Sequence, residues 1–96
     1  MTAEPDERWD ELGRQACLVL APLFQTIEHV GSTSTAGPAA APVINLMASV
    51  DSLDDVDERA LETFGYRTAP SEVRERRFYR REDYDSTAYH LHVVIA

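Results

Sequence analysis

Residues 27–50 read IEHVGSTSTAGPAAAPVINLMASV, and the prediction of the fold starts from this stretch. Its first apolar residues favour a short strand, and the glycine and hydroxyl residues at 31–34 favour a tight turn directly after it. Pro42 then precedes a second strand-like run at 43–50. Alternation in a strand puts Ile44, Leu46, Ala48 and Val50 on one face and Asn45, Met47 and Ser49 on the other. The stretch therefore predicts two strands joined by a polar turn.

The rest of the chain contains two amphipathic segments and further strand-like runs. Apolar residues recur at helical spacing over 8–23 and 53–64, which predicts two helices with one buried stripe each. Gly65 is expected to end the second helix. Residues 76–81 and 87–95 alternate as strands do. Because strands follow one another at the end of the chain, we predict an α+β domain whose mixed or antiparallel sheet has its helices mainly on one side.

Composition predicts one globular domain over residues 1–96. An apolar content of 44% is ordinary for a folded domain. No apolar run approaches the roughly 20 residues that a membrane-spanning helix needs, so we expect no membrane contact. The N-terminus is acidic, so no secretory signal is expected, and the single cysteine, Cys17, allows no internal disulfide. These features predict a cytoplasmic protein.

The charge balance argues against nucleic acid as a partner. The net charge is -8, and phosphate backbones are bound mainly through cationic side chains. All the positive side chains are arginines, and most of them lie within residues 67–81, after an acidic segment at 51–62. A local arginine patch can bind a phosphate group on an acidic protein. The alternative is a solvated strand whose charges are neutralised by the acidic helix.

The turn after the first strand is a candidate anion site. It comprises Gly31, Ser32, Thr33 and Ser34. A glycine turn followed by hydroxyls can offer backbone N–H groups and O–H groups to a phosphate. The same hydroxyls could instead cap a short helix at 33–41.

The histidines form a second candidate site. His90 and His92 share one face of a predicted strand, and His29 lies at the end of another. We favour a polar pocket in which His90 and His92 hydrogen-bond to a ligand or to Asn45. A metal site that adds His29, with Glu28 or Asn45 nearby, is the alternative, because neutral imidazole is a good ligand for transition metals.

An arginine is expected to complete the site. Guanidinium offers paired donors to phosphate or carboxylate, and Arg77 is our candidate. Alternation places Arg77 with Tyr79 and Arg81, and places Arg80 with Phe78 on the other face. Only one of these two sets can face the pocket.

Several motifs together resemble the GrpB family, which is related to the nucleotidyltransferase superfamily. The residues that carry the resemblance are Ile27 to Ser34, Gly37, Ala39, Ala40, Pro42 and Ile44, with Trp9, Leu61, Phe64 to Tyr66, Arg77 to Arg80 and His90 to Val94. They extend over essentially the whole chain. The resemblance implies a nucleotidyltransferase-like sheet with a nucleotide phosphate over the Gly-Ser turn.

The resemblance also implies an altered metal site. In nucleotidyltransferases the strand after the turn carries the carboxylates that hold Mg²⁺, and the matching positions here are Asn45 and Met47. The family usually has aspartate at the position of Asn45 and lysine at that of Ala41. Because an amide and a thioether suit a hard cation poorly, magnesium is disfavoured, and the cofactor is left undetermined. Asn45, His90 and His92 are the residues expected at the catalytic position.

Three functions are compatible with these features. The first is a GrpB-like protein that binds a small anionic ligand and has lost metal-dependent transfer. The second is an active nucleotidyltransferase or ligase-like enzyme with a histidine-containing site. The third is an accessory module: the family pattern continues past the last strand of this sequence, so the chain is expected to be C-terminally shortened. A second copy or a partner protein would then cover that strand.

Overall fold

The computed structural model describes residues 4–30, 43–70, 75–83 and 87–96. In these residues there are two helices and five strands. They are α1 (Glu4–Leu20), β1 (Thr26–His29), β2 (Val43–Val50), α2 (Glu58–Thr63), β3 (Arg67–Ala69), β4 (Arg76–Glu82) and β5 (Ala88–Ile95), with 3-10 turns at Ala21–Leu23 and Leu53–Asp55. Neither helix is both long and apolar enough to cross a membrane.

The five strands form one mixed sheet in the order β1-β2-β5-β4-β3. β2 and β5 run parallel, and the other neighbouring pairs are antiparallel. Ala16 and Leu20 of α1 and Leu61 of α2 pack into the same buried cluster as Leu46 and Leu91 of the central strands. Both helices therefore lie on one side of the sheet, and the predicted α+β class is confirmed.

The position of β5 limits how a partner could cover the last strand. β5 pairs with β2 on one side and with β4 on the other over most of its length. A partner chain therefore cannot add a strand beside β5, and the two edges of the sheet are β1 and β3. The central position suits the sequence of β5, because Tyr89, Leu91 and Val93 are all buried.

Alternation along the two central strands defines the two faces of the sheet. The helix-covered face carries the predicted buried set, Ile44, Leu46, Ala48, Val50, Tyr89, Leu91 and Val93. The intervening side chains lie on the opposite face, which we name the distal face. Its residues include Glu28 of β1, Asn45, Met47 and Ser49 of β2, His90, His92 and Val94 of β5, Arg76, Phe78, Arg80 and Glu82 of β4, and Arg67 of β3.

The predicted helix at 53–64 is divided by two caps. Ser52 Oγ accepts a hydrogen bond from the N–H of Asp54 at 3.2 Å, which starts the 3-10 turn. Asp57 Oδ1 then accepts from the N–H of Ala60 at 3.0 Å and starts α2. The N–H of Ala60 would bond to the carbonyl of Val56 in a continuous helix. Because Asp57 accepts it instead, the segment forms a 3-10 turn followed by a short helix.

The end of α2 is as predicted. Gly65 has a φ of 94°, a conformation that favours glycine. Its N–H donates to the carbonyl of Glu62 at 3.0 Å, and the N–H of Tyr66 donates to the carbonyl of Leu61 at 2.9 Å. This pair of bonds is the Schellman arrangement, which satisfies the last carbonyls of a helix.

Gly13 of α1 lets the helix approach β1 closely. A Cβ atom at position 13 would lie 2.6 Å from Nδ1 and 2.7 Å from Cγ of His29. The His29 side chain is only 14% exposed, and its ring lies between α1 and the sheet. The ring therefore has little room to move away from a larger residue.

We predict that Gly13→Ala lowers the free energy of unfolding by about 1–3 kcal/mol, because the added methyl overpacks against His29. Alanine favours a helix by roughly 1 kcal/mol over glycine, which opposes this loss. A higher free energy of unfolding for Gly13→Ala would therefore contradict the prediction. Urea unfolding of Gly13→Ala, His29→Ala and the double variant measures the coupling. Strict additivity of the two substitutions would contradict the steric explanation.

Candidate functional site on the distal face

The predicted catalytic residues lie together on the distal face. The register places Asn45 of β2 beside His90 of β5, and Met47 beside His92. Phe78 of β4 lies beside His92 on the other side. Neighbouring strands are about 4.8 Å apart, so these side chains form a continuous surface. The sequence prediction that Asn45, His90 and His92 can face one ligand is thus compatible with the geometry.

The two imidazoles pack against one aromatic ring. The ring of Phe78 stacks on His92 with centroids 4.9 Å apart, and its centroid is 5.2 Å from that of His90 in an edge-on arrangement. Desolvation, followed by the positive charge of Arg80 and by His92, lowers the pKa of His90. Desolvation, followed by the charge of Arg76, lowers the pKa of His92. Both shifts favour the neutral imidazole, which offers one donor and one acceptor.

Arg76 supplies a positive charge beside these residues. A shallow depression of about 320 Å³ is lined by Val30, Asn45, Met47, Arg76 and His92. The Nε atom of Arg76 is buried and has no hydrogen-bond partner among the described residues. A buried N–H without a partner costs free energy, so the guanidinium of Arg76 has unused hydrogen-bonding capacity within the described part of the chain.

The structure does not bring Arg77 to this surface. Arg77 lies on the helix-covered face, where Nη1 donates to Glu58 Oε2 at 3.1 Å. The hydroxyl of Tyr79 donates to the same oxygen at 2.8 Å. Burial, together with this hydrogen bond to the carboxylate, raises the pKa of Tyr79. Arg77 therefore joins β4 to α2, and the arginine that lines a depression with Asn45 and His92 is Arg76.

His29 is separated from the other histidines by the sheet. It pairs with Leu46 and lies on the helix-covered face, with Nδ1 3.8 Å from Asp10 Oδ1. In the part of the chain that the structure describes, no three His, Cys, Asp or Glu side chains are grouped so that they could hold a metal ion. His29 thus cannot join His90 and His92 in the metal site that we considered as an alternative.

The residues that line the depression suit Mg²⁺ poorly. Where the family resemblance implies metal-binding carboxylates, the chain has the amide of Asn45 and the thioether of Met47. The cationic side chain of Arg76 lines the same depression. Magnesium prefers anionic oxygen ligands in octahedral geometry, and a neighbouring guanidinium opposes its binding.

The candidate anion turn, Gly31, Ser32, Thr33 and Ser34, lies outside the described residues. Val30, the residue before this segment, lies within the described part of the chain. The N–H of Val30 donates to the carbonyl oxygen of Asn45 at 3.0 Å, so the chain leaves β1 directly beside the candidate site.

Sequence reasoning did not select Arg76 as the arginine that lines the depression. The relevant signal is the alternation of β4, which puts Arg76 on the same face as Phe78 and Arg80. That alternation gives two sets of arginines, but it does not tell which set faces the helices. The choice depends on Arg77 and Tyr79 meeting Glu58 of α2, a contact between residues far apart in sequence.

Fold and site together define an α+β protein whose mixed sheet has helices on one face and an arginine- and histidine-bearing surface on the other. The chain matches the family model described as GrpB protein over residues 2–96, and it belongs to this family. It is also similar to the crystal structure of conserved protein GrpB from Enterococcus faecalis, at 27% identity and a TM-score of 0.63. That match covers 93% of this chain and 55% of the other, so this chain spans about half the length of that protein. No functionally curated protein matches the chain.

Proposed function

We propose that this GrpB-family chain binds a small anionic ligand, a nucleotide or another phosphate-bearing molecule, on the distal face. The observation that carries the proposal is the cationic side chain of Arg76, whose Nε has no partner among the described residues, in a depression that Asn45 and His92 also line. An anion placed there would accept from the guanidinium, and charge-assisted bonds of this kind are the strong ones. The neutral imidazoles and the amide would supply further hydrogen bonds.

The turn at 31–34 is our proposed second wall of the site. Val30 is hydrogen-bonded to Asn45, and Gly31 is the next residue. In this proposal the backbone N–H and hydroxyl groups of residues 31–34 donate to the same anion. The family's relation to nucleotidyltransferases supports a nucleotide as the class of ligand.

Metal-dependent nucleotidyl transfer is lost in this proposal, because Asn45 and Met47 replace the carboxylates that such transfer uses. A second candidate is an enzyme that uses His90 or His92. Their lowered pKa values favour the neutral imidazole, which is the form that can accept a proton from a substrate hydroxyl. Under this alternative the natural chain would turn over nucleotide without any substitution.

We predict that Arg76→Gln weakens ATP binding by about tenfold, since a hydrogen bond to a charged group is worth about 1.5–3 kcal/mol. Isothermal titration of the 96-residue chain with ATP, with and without Mg²⁺, measures the effect. Arg59→Gln is the matched control, because it removes the same charge from an exposed position of α2, on the other side of the sheet.

Two results would count against the proposal. If the natural chain does not bind ATP at millimolar concentration, the proposed nucleotide binding is refuted. An equal loss of ATP affinity in Arg59→Gln and Arg76→Gln would mean that the affinity depends on the overall charge of the chain. ATP would then not bind at the depression.

A further inference from the structure

We propose that Arg67 and Arg80 form a second anion subsite at the β3 edge of the distal face. The ligand is then a polyphosphate or nucleoside polyphosphate that extends across the sheet, with one phosphate group held by these two guanidinium groups. This inference rests on the proposed function and extends it, because it specifies a ligand with charge spread over several strands.

The first support is the alignment of side chains across four strands. Register places Arg67 opposite Arg80, Arg80 opposite His90, and His90 opposite Asn45. All four side chains therefore point to the distal face in one row. At about 4.8 Å per strand the row is about 14 Å long, and Arg80 lies about 10 Å from Asn45. A single phosphate cannot contact both ends of this row, whereas an extended anion can.

The second support is electrostatic. Like charges directly opposite each other in neighbouring antiparallel strands are destabilising. Arg67 and Arg80 are both exposed, and the ion pairs found among the described side chains include neither of them. No described acid is the cross-strand partner of either arginine. Glu82 lies two residues from Arg80 on the same face of β4, but the ion pairs among the described side chains do not join them. An anion bound between the two guanidinium groups would relieve their repulsion.

The third support is the shape of the edge. A groove of about 610 Å³ runs along β3, and both Arg67 and Arg80 line it. Two carboxylates, Glu62 and Glu82, also line the groove and would oppose a weakly held anion. Binding in this groove therefore depends on both arginines acting together. A ligand that is already bound elsewhere on the distal face gains the most affinity from this subsite.

Arg81 lines the same groove but is already engaged. Its Nε and Nη2 donate to the two carboxylate oxygens of Asp83 at 3.0 and 3.1 Å. Its guanidinium carbon also lies 4.3 Å from the ring centroid of Tyr89. The structure therefore leaves Arg67 and Arg80 as the pair whose donors can be offered to a ligand.

The test compares inorganic tripolyphosphate with inorganic phosphate as probes of the full 96-residue chain. We expect tripolyphosphate to bind more tightly, and Arg67→Gln and Arg80→Gln each to weaken it about fivefold or more, consistent with the loss of one charge-assisted bond. Arg80→Lys should restore only part of the loss, because lysine cannot offer a paired donor. Arg59→Gln is again the control. Unchanged tripolyphosphate affinity in both Arg67→Gln and Arg80→Gln would overturn the subsite.

NMR of the imidazole resonances separates this proposal from the function on which it rests. His90 lies beside Arg80 and also faces Phe78 and His92, whereas His92 lies nearer Arg76. An anion at Arg80 should raise the pKa of His90, and Arg80→Gln should abolish that change. A response of His92 alone would support the Arg76 depression and refute the edge subsite. A response of neither imidazole, with no heat of binding, would refute both.

Discussion

Leu91→Ala is expected to lower the free energy of unfolding by about 2–5 kcal/mol, which places it among the most damaging single substitutions in this chain. Leu91 is 0% exposed and lies in the central strand β5, between Leu46 of β2 and Tyr79 of β4. These neighbours belong to paired strands and cannot collapse into the space that the side chain leaves. The cost therefore includes both the lost burial and the cavity.

Ile95→Ala is the matched control for this substitution. Ile95 lies on the same strand and the same face, but it is 48% exposed. About half of its side chain is in water already, so we expect a loss of about 1 kcal/mol or less. Urea unfolding followed by circular dichroism gives both values. Similar losses at the two positions would contradict a central β5, as would rapid hydrogen exchange at the β5 amides that bond to β2 and β4.

Asn45→Asp is expected to weaken ATP binding on the order of 100-fold when Mg²⁺ is absent, because a carboxylate facing a bound phosphate costs several kcal/mol. With Mg²⁺ present, we expect much of the affinity to return, since the new carboxylate can bridge through the cation. The ATP affinity of the natural chain, which has Asn45, should depend little on Mg²⁺. Asn45→Ala is the control, because it removes the amide without adding a charge.

The same variant separates the proposed function from the enzymatic alternative. If Asn45→Asp creates nucleotide turnover where the natural chain has none, the chain is a binding protein with a lost transfer activity. If the natural chain already turns over and His92→Gln stops it, the histidine-based enzyme is correct. Equal ATP affinity in Asn45→Asp, Asn45→Ala and the natural chain would place the ligand away from Asn45.

Much of the local structure could be predicted because its causes are local. The strand at Val43–Val50 has the bounds that its residues predict, and its alternation correctly separates Leu46 from Asn45. The same rule puts His90 and His92 on one face. Gly65 ends α2 as predicted, because the positive φ it adopts is favoured by glycine.

Other features could not be predicted, because they depend on contacts between distant residues. Alternation shows that Arg76 and Arg77 face opposite ways, but only the meeting of Arg77 with Glu58 tells which of them reaches the distal face. The chain order ends with β5, whereas the sheet puts this strand at its centre.

The sequence by itself determined the class of fold and the alternation of each main strand, because these follow from side-chain periodicity. The motifs of the sequence also carried the resemblance to the family that the family model shows. Only the tertiary structure decided which strands are neighbours and in which register. That register aligns Arg67, Arg80, His90 and Asn45 in one row. The physical reason is that hydrogen bonds between strands join residues far apart in the chain, so their pairing is fixed by the packing of the whole sheet against its helices.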